Sequence, residues 1–164
     1  MALIQPKLPL PRSNANTVLE LLDDLKEYVQ RDYRVVNMGN YICDSDPEDG
    51  GPACGTVGCF AGWTVLLAGC SNGKISERRS WVAEVAKKIL GRDLCYTFGP
   101  KGRQSFFNAG RGDACGTTKP GTQAHADALV ARINRFIKRN GGRKALQARV
   151  LKRQNYAEYL DGGR

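Results

Sequence analysis

A mainly α fold, one compact domain of about five helices with at most a small β element, is what this sequence predicts. Three observations carry it. Apolar residues recur at helical spacing over several windows, glycines and cap-forming side chains punctuate those windows, and 164 residues suffice for one good core. Hydrophobic content is 41%, ordinary for a chain that buries a core and too high for wholesale disorder.

Residues 1–13 hold Pro6, Pro9 and Pro11 and read as an extended arm, with residues 14–164 as the single helical domain. The arm lacks the long apolar stretch of a signal peptide, and no later segment reaches the ~20 apolar residues of a membrane span. A cytoplasmic protein is expected, its six cysteines reduced rather than bridged.

The first helix is expected to start near Asn14 or Asn16, either able to cap it, and to run to about Arg31. Val18, Leu21, Leu22, Leu25 and Val29 form its apolar stripe, while Glu20, Asp23, Asp24 and Glu27 lie among the other positions. Tyr33–Met38 and Tyr41–Cys43 read as short strands or an extended connection. The loop from Asp44 to Pro52 opens like a calcium loop, with Asp44 and Asp46, but lacks the later glycine and glutamate at their offsets.

The most hydrophobic stretch, Phe60–Ala68, predicts a central buried helix with Gly58 near its start and Gly69 closing it. Trp63 and Leu66 should pack against the helices that begin near Asn16 and Thr122. A further helix is expected over roughly 78–90, burying Trp81, Val82, Val85, Ile89 and Leu90 and leaving Glu84, Lys87 and Lys88 wet; Gly91 stops it. Leu94–Pro100 looks extended with Phe98 buried, Arg103–Asn108 reads as one helical turn, and Ala109–Gly121 as an irregular glycine-rich loop. Thr122 should cap a long helix to about Asn140 with Leu129, Ile133, Phe136 and Ile137 inward. After Gly141 and Gly142 a last helix is expected from Arg143 to Leu160, with Leu146, Val150, Ala157 and Leu160 on one side.

Asn37-Met38-Gly39-Asn40-Tyr41, the run Cys54-Gly55-Thr56-Val57-Gly58-Cys59-Phe60-Ala61-Gly62-Trp63, the ending Ile89-Leu90-Gly91 and Arg132-Ile133-Asn134-Arg135-Phe136-Ile137 together carry a resemblance. Over about residues 30–140 the chain resembles an uncharacterised bacterial and phage family with a CGTxxCxAGW-type motif. That resemblance implies a small accessory protein and assigns no catalytic residue.

The motif supports three chemistries. Cys59 at a helix N-terminus could be a nucleophile, since backbone N–H groups and the helix dipole lower a thiol pKa; His125, the only histidine, would be its base. Cys54 and Cys59, with four residues between them, could be one half of a structural zinc site, but no second close pair completes it, and no cofactor is expected. The favoured reading is architectural: Gly55 and Gly58 permit a tight turn, Gly62 lets a neighbouring helix close in, and Trp63 anchors the core.

Charge points elsewhere. The net charge of +9 is distributed as −4 over residues 1–60, +5 over 61–127 and +8 over 128–164. Arg132, Arg135, Lys138, Arg139, Arg143, Lys144, Arg149, Lys152 and Arg153 follow one another with no acidic residue between Ala128 and Ala157. Helical spacing puts Arg132, Arg135 and Arg139 on one face, and Arg149, Lys152 and Arg153 on another. Such a face suits nucleic acid or an acidic protein complex, bound without strong sequence preference because no zinc finger, RNP sequence or zipper is present. The expected function is that of a non-enzymatic accessory binding protein, its size and charge also fitting an inhibitor of a host-defence complex. The alternative is a cysteine-dependent enzyme using Cys59 and His125.

Overall fold

The computed structural model describes residues 9–38, 42–44, 52, 54, 56–70, 80–99, 102–105, 107 and 117–152. The fold is mainly α. Its described helices are α1 (Val18–Arg31), α2 (Phe60–Leu67), α3 (Ser80–Leu90), α4 (Gln123–Arg139) and α5 (Gly142–Gln147), with a 3-10 turn at Tyr33–Val35. Two small antiparallel pairs accompany them: β1 (Ile42–Asp44) with β2 (Thr56–Gly58), and β3 (Tyr96–Gly99) with β4 (Gly102–Ser105).

The centre of the structure is α2, in which every residue from Phe60 to Leu67 is buried. A helix apolar on all sides has to be surrounded, and α1 and α3 pack on it. Trp63 is 0% exposed and donates its indole N–H to the Val35 carbonyl at 2.8 Å, so its one polar atom is satisfied inside the core. Tyr28 of α1 meets the Trp63 ring edge-on at 4.9 Å, and Phe136 of α4 meets Phe60 at 5.9 Å. Trp63 and Leu66 are thus buried as expected. Gly69, at φ +72°, ends the helix, and its N–H and that of Cys70 return to Leu66 and Val65.

On α1 the expected stripe, Val18, Leu21, Leu22, Leu25 and Val29, is buried. The cap is Thr17 rather than Asn14 or Asn16. Its hydroxyl accepts the Glu20 N–H at 3.3 Å while the Glu20 carboxylate accepts the Thr17 N–H at 3.3 Å and the Asn16 N–H at 2.7 Å. That reciprocal pair requires glutamate three residues after the cap, a condition only Thr17 meets. Thr122 caps α4 as expected, Asn140 and Gly141 separate α4 from α5, and Gly141 and Gly142 stand at φ +93° and +84°.

Four features differ from the sequence reading, the first being Tyr33–Val35, a 3-10 turn rather than a strand or extended connection, its start capped by the Asp32 carboxylate, which accepts the Arg34 N–H. The last helix stops at Gln147: Val18 donates to the Arg149 carbonyl at 2.9 Å, Leu151 donates to Asn16 at 2.9 Å, and Val150 bridges Thr17. Backbone pairing with the start of α1 therefore replaces helical bonding, and Val150, expected inside, is 75% exposed. Gly102–Ser105 is a strand rather than part of a helical turn, because it pairs with β3. Lys87, expected wet, is buried with its ammonium 2.9 Å from Glu84. The side chains of Trp81 and Phe98, and residues 109–116 and 153–164, lie outside the described residues, as do the side chains of the Asp44–Asp49 loop.

Candidate functional site

Cys59 occupies the N-cap of α2, between β2 and the helix. It is 3% exposed, and burial pushes its thiol up to about 11. The N–H groups of Gly62 and Ala61 and the charge of Arg132 act in the opposite direction but are outweighed. The helix terminus does bias the sulfur toward thiolate. Desolvation is simply the larger effect here.

His125 sits in the first turn of α4 and is also buried. Its Nε2 accepts the Met38 N–H at 3.0 Å, which leaves the proton on Nδ1, 2.9 Å from the Thr118 hydroxyl. Burial holds its pKa below the ordinary 6.5. Both ring nitrogens are engaged, Nε2 with Met38 and Nδ1 with Thr118. Cys59 starts the central helix, and His125 ties Met38 to the first turn of α4.

Cys54 is half-buried and receives the Tyr28 hydroxyl on its sulfur at 3.3 Å. Among the described residues no group of three or more His, Cys, Asp and Glu side chains is placed to hold a metal ion. No described helix is long and apolar enough to cross a membrane.

The basic segment splits into three groups. Arg132 is 4% exposed, so it does not belong to the outer face of α4; it packs inside, one turn from Leu129 and Phe136. The spacing His125, Leu129, Arg132, Phe136 is itself a buried stripe, and it was the signal for this position. Arg143 and Arg149 are neutralised within the chain. Arg143 makes a two-pronged bond to Asp23 of α1, at 3.1 and 2.7 Å, and holds that carboxyl below its ordinary pKa, with Lys26 adding to the effect. Arg149 pairs with Asp93. The absence of acids from the local sequence therefore did not mean their absence from the surface.

Arg135, Lys138, Arg139, Lys144 and Lys152 remain exposed. Among the described residues no carboxylate pairs with Lys138, Lys144 or Lys152. Lys138 and Arg139 occupy the last turn of α4, where they also complement the negative end of the helix dipole. Lys144 follows within α5, after the Gly141-Gly142 turn. Lys152 lies on the extended segment beyond, where its N–H meets the Ile89 carbonyl at 3.4 Å. Arg153 lies outside the described residues. What this arrangement can do chemically is attract anions: it presents cations on the end of one helix and the start of the next. The chain matches no protein-family model, and neither a curated protein nor a solved structure matches it.

Proposed function

We propose that the protein is a non-catalytic binding protein that engages a polyanion, nucleic acid or a complex carrying it, through the junction of α4 and α5. The observation that carries this reading is the exposed set Arg135, Lys138, Arg139, Lys144 and Lys152 on a chain of net charge +9. Compared with the nine-residue run in the sequence, the proposed contact set is smaller. Arg132 is internal, and Arg143 and Arg149 already have carboxylate partners.

Clustered like charges destabilise a free surface by a few tenths of a kcal/mol for each helical pair, roughly 0.2–0.5. A polyanion relieves that repulsion and releases counterions on binding. The burial of Cys59 and the engaged nitrogens of His125 favour this reading over cysteine catalysis. The motif resemblance supports a bacterial or phage accessory role. The test is binding of DNA, RNA and co-purifying protein by a variant carrying Lys138→Glu, Arg139→Glu and Lys144→Glu.

A further inference from the structure

Two guanidinium nitrogens of Arg143, near the start of α5, reach the two carboxylate oxygens of Asp23 on α1, at 3.1 and 2.7 Å. The same parallel fork is how arginine takes two oxygens of a phosphate. Arg143 is 60% exposed and stands beside Lys144, a member of the proposed contact set. We infer that Asp23 is an internal competitor for nucleic acid: its carboxylate holds Arg143 in place of a backbone phosphate, and a docked phosphate takes the arginine over. The inference rests on the polyanion reading of the α4–α5 junction. It adds a residue on a different helix that sets how strongly that junction binds.

Three features ease the exchange. First, the pair lies at the surface, and exposed ion pairs hold weakly. Second, Asp23 keeps a cation when Arg143 leaves. The Lys26 ammonium lies 3.1 Å from its carboxylate and is itself held by the Asn134 side chain of α4 at 3.2 Å. Third, α5 stays docked without the fork. Leu146 is fully buried, and the Gln147 amide donates to the Glu20 carboxylate of α1 at 3.2 Å. Departure of Arg143 therefore frees a side chain and not a helix. Arg143, and after it Lys26, holds the Asp23 carboxyl below its ordinary pKa, so at neutral pH the arginine is released to a competing anion rather than by protonation of its partner.

The experiment measures binding of the full-length protein to a short DNA duplex over a series of salt concentrations centred on about 0.15 M, where exposed charges more than about 8 Å apart are largely screened. Wild type is compared with Asp23→Asn, Asp23→Ala, Arg143→Gln, Asp23→Asn/Arg143→Gln and Glu27→Gln. Glu27→Gln makes the same change of net charge one turn along α1, at a carboxylate that pairs with Arg31 instead. Both Asp23 variants should bind about two- to fivefold more tightly than wild type, the scale of one exposed ion pair that no longer competes. Arg143→Gln should lower the slope of log affinity against log salt by about 0.9, one phosphate fewer. In that background Asp23→Asn should gain no more than Glu27→Gln gives alone. Thermal midpoints establish that each variant is folded, and the alanine variant, suited to a helix interior, stands in if the asparagine one is not. Unchanged or weaker binding by the folded Asp23 variants, a gain matched by Glu27→Gln, a gain that survives Arg143→Gln, or an Arg143→Gln slope equal to wild type overturns the inference and leaves the polyanion reading standing. Absence of duplex binding by wild type and by the Asp23 variants overturns both.

Discussion

The backbone N–H of Met38 donates to Nε2 of His125 at 3.0 Å, tying two positions 87 residues apart in the sequence. Both residues are buried, so the bond forms where water is not available to replace it. Removal of the imidazole acceptor by His125→Leu is expected to destabilise the protein by about 1–3 kcal/mol, the cost of stranding a buried donor. Chemical denaturation at pH 8 reads this, and an unchanged midpoint and slope would show that the bond contributes nothing.

The same histidine sets a pH dependence. Its folded pKa lies below 6.5, so the unfolded chain binds the additional proton first as pH falls. Its stabilising contribution is complete above the unfolded value and is lost as pH drops from about 6.5 through the folded value. Wild type should therefore lose stability between pH 7 and 5 by a step that His125→Gln lacks. Parallel pH profiles for the two proteins would contradict the assignment.

Trp63→Ala should cost about 3–5 kcal/mol, the usual range for an aromatic removed from a core. The ring is fully enclosed, meets Tyr28 edge-on and satisfies the Val35 carbonyl. Trp63→Phe keeps most of the packing and should recover the larger part of the loss. A cost below about 1 kcal/mol for the alanine variant in urea denaturation would remove α2 from the centre of the fold.

Cys59 should resist alkylation in the native state at pH 7.5. A thiol pushed up to about 11 holds only about one part in several thousand as thiolate at that pH, and it is 3% exposed. Mass spectrometry after a short iodoacetamide pulse should find Cys59 modified only on addition of denaturant. Rapid stoichiometric labelling at this position in the folded protein would restore the nucleophile reading.

The sequence was most informative where local chemistry decides the structure. Thr122, the stripe Leu129–Ile133–Phe136 and the Gly141-Gly142 stop fixed α4 to within a residue, because cap, periodicity and breaker agree. The continuation past Gln147 failed for a non-local reason. Leu146 and Val150 keep helical spacing, but the segment finds its hydrogen bonds at Asn16 and Val18, some 130 residues earlier. Charge was misread in the same way. Arg143 and Arg149 stand in an acid-free stretch of sequence, and the fold brings Asp23 and Asp93 to them. Arg132 was legible in principle, since its register matches the buried stripe, but its charge suggested solvent. The motif from Cys54 to Trp63 admitted thiol or zinc chemistry beside the favoured architectural reading; the burial of Cys59, which periodicity alone does not give, is consistent with architecture.

The polyanion-binding face is tested most directly by the salt dependence of binding to a short DNA duplex, measured for wild type and for the Lys138→Glu/Arg139→Glu/Lys144→Glu protein. If these side chains meet phosphates, the logarithm of the association constant falls linearly with that of salt concentration, by about 0.9 per phosphate contacted. The variant should then show a slope shallower by roughly 2–3 and weaker binding across unrelated sequences. Its helices should remain intact, reversal of each α4 C-terminal charge costing no more than about 1 kcal/mol. Equal slopes and equal affinities for the two folded proteins would contradict the account and reduce the cations of α4 and α5 to a solvated surface.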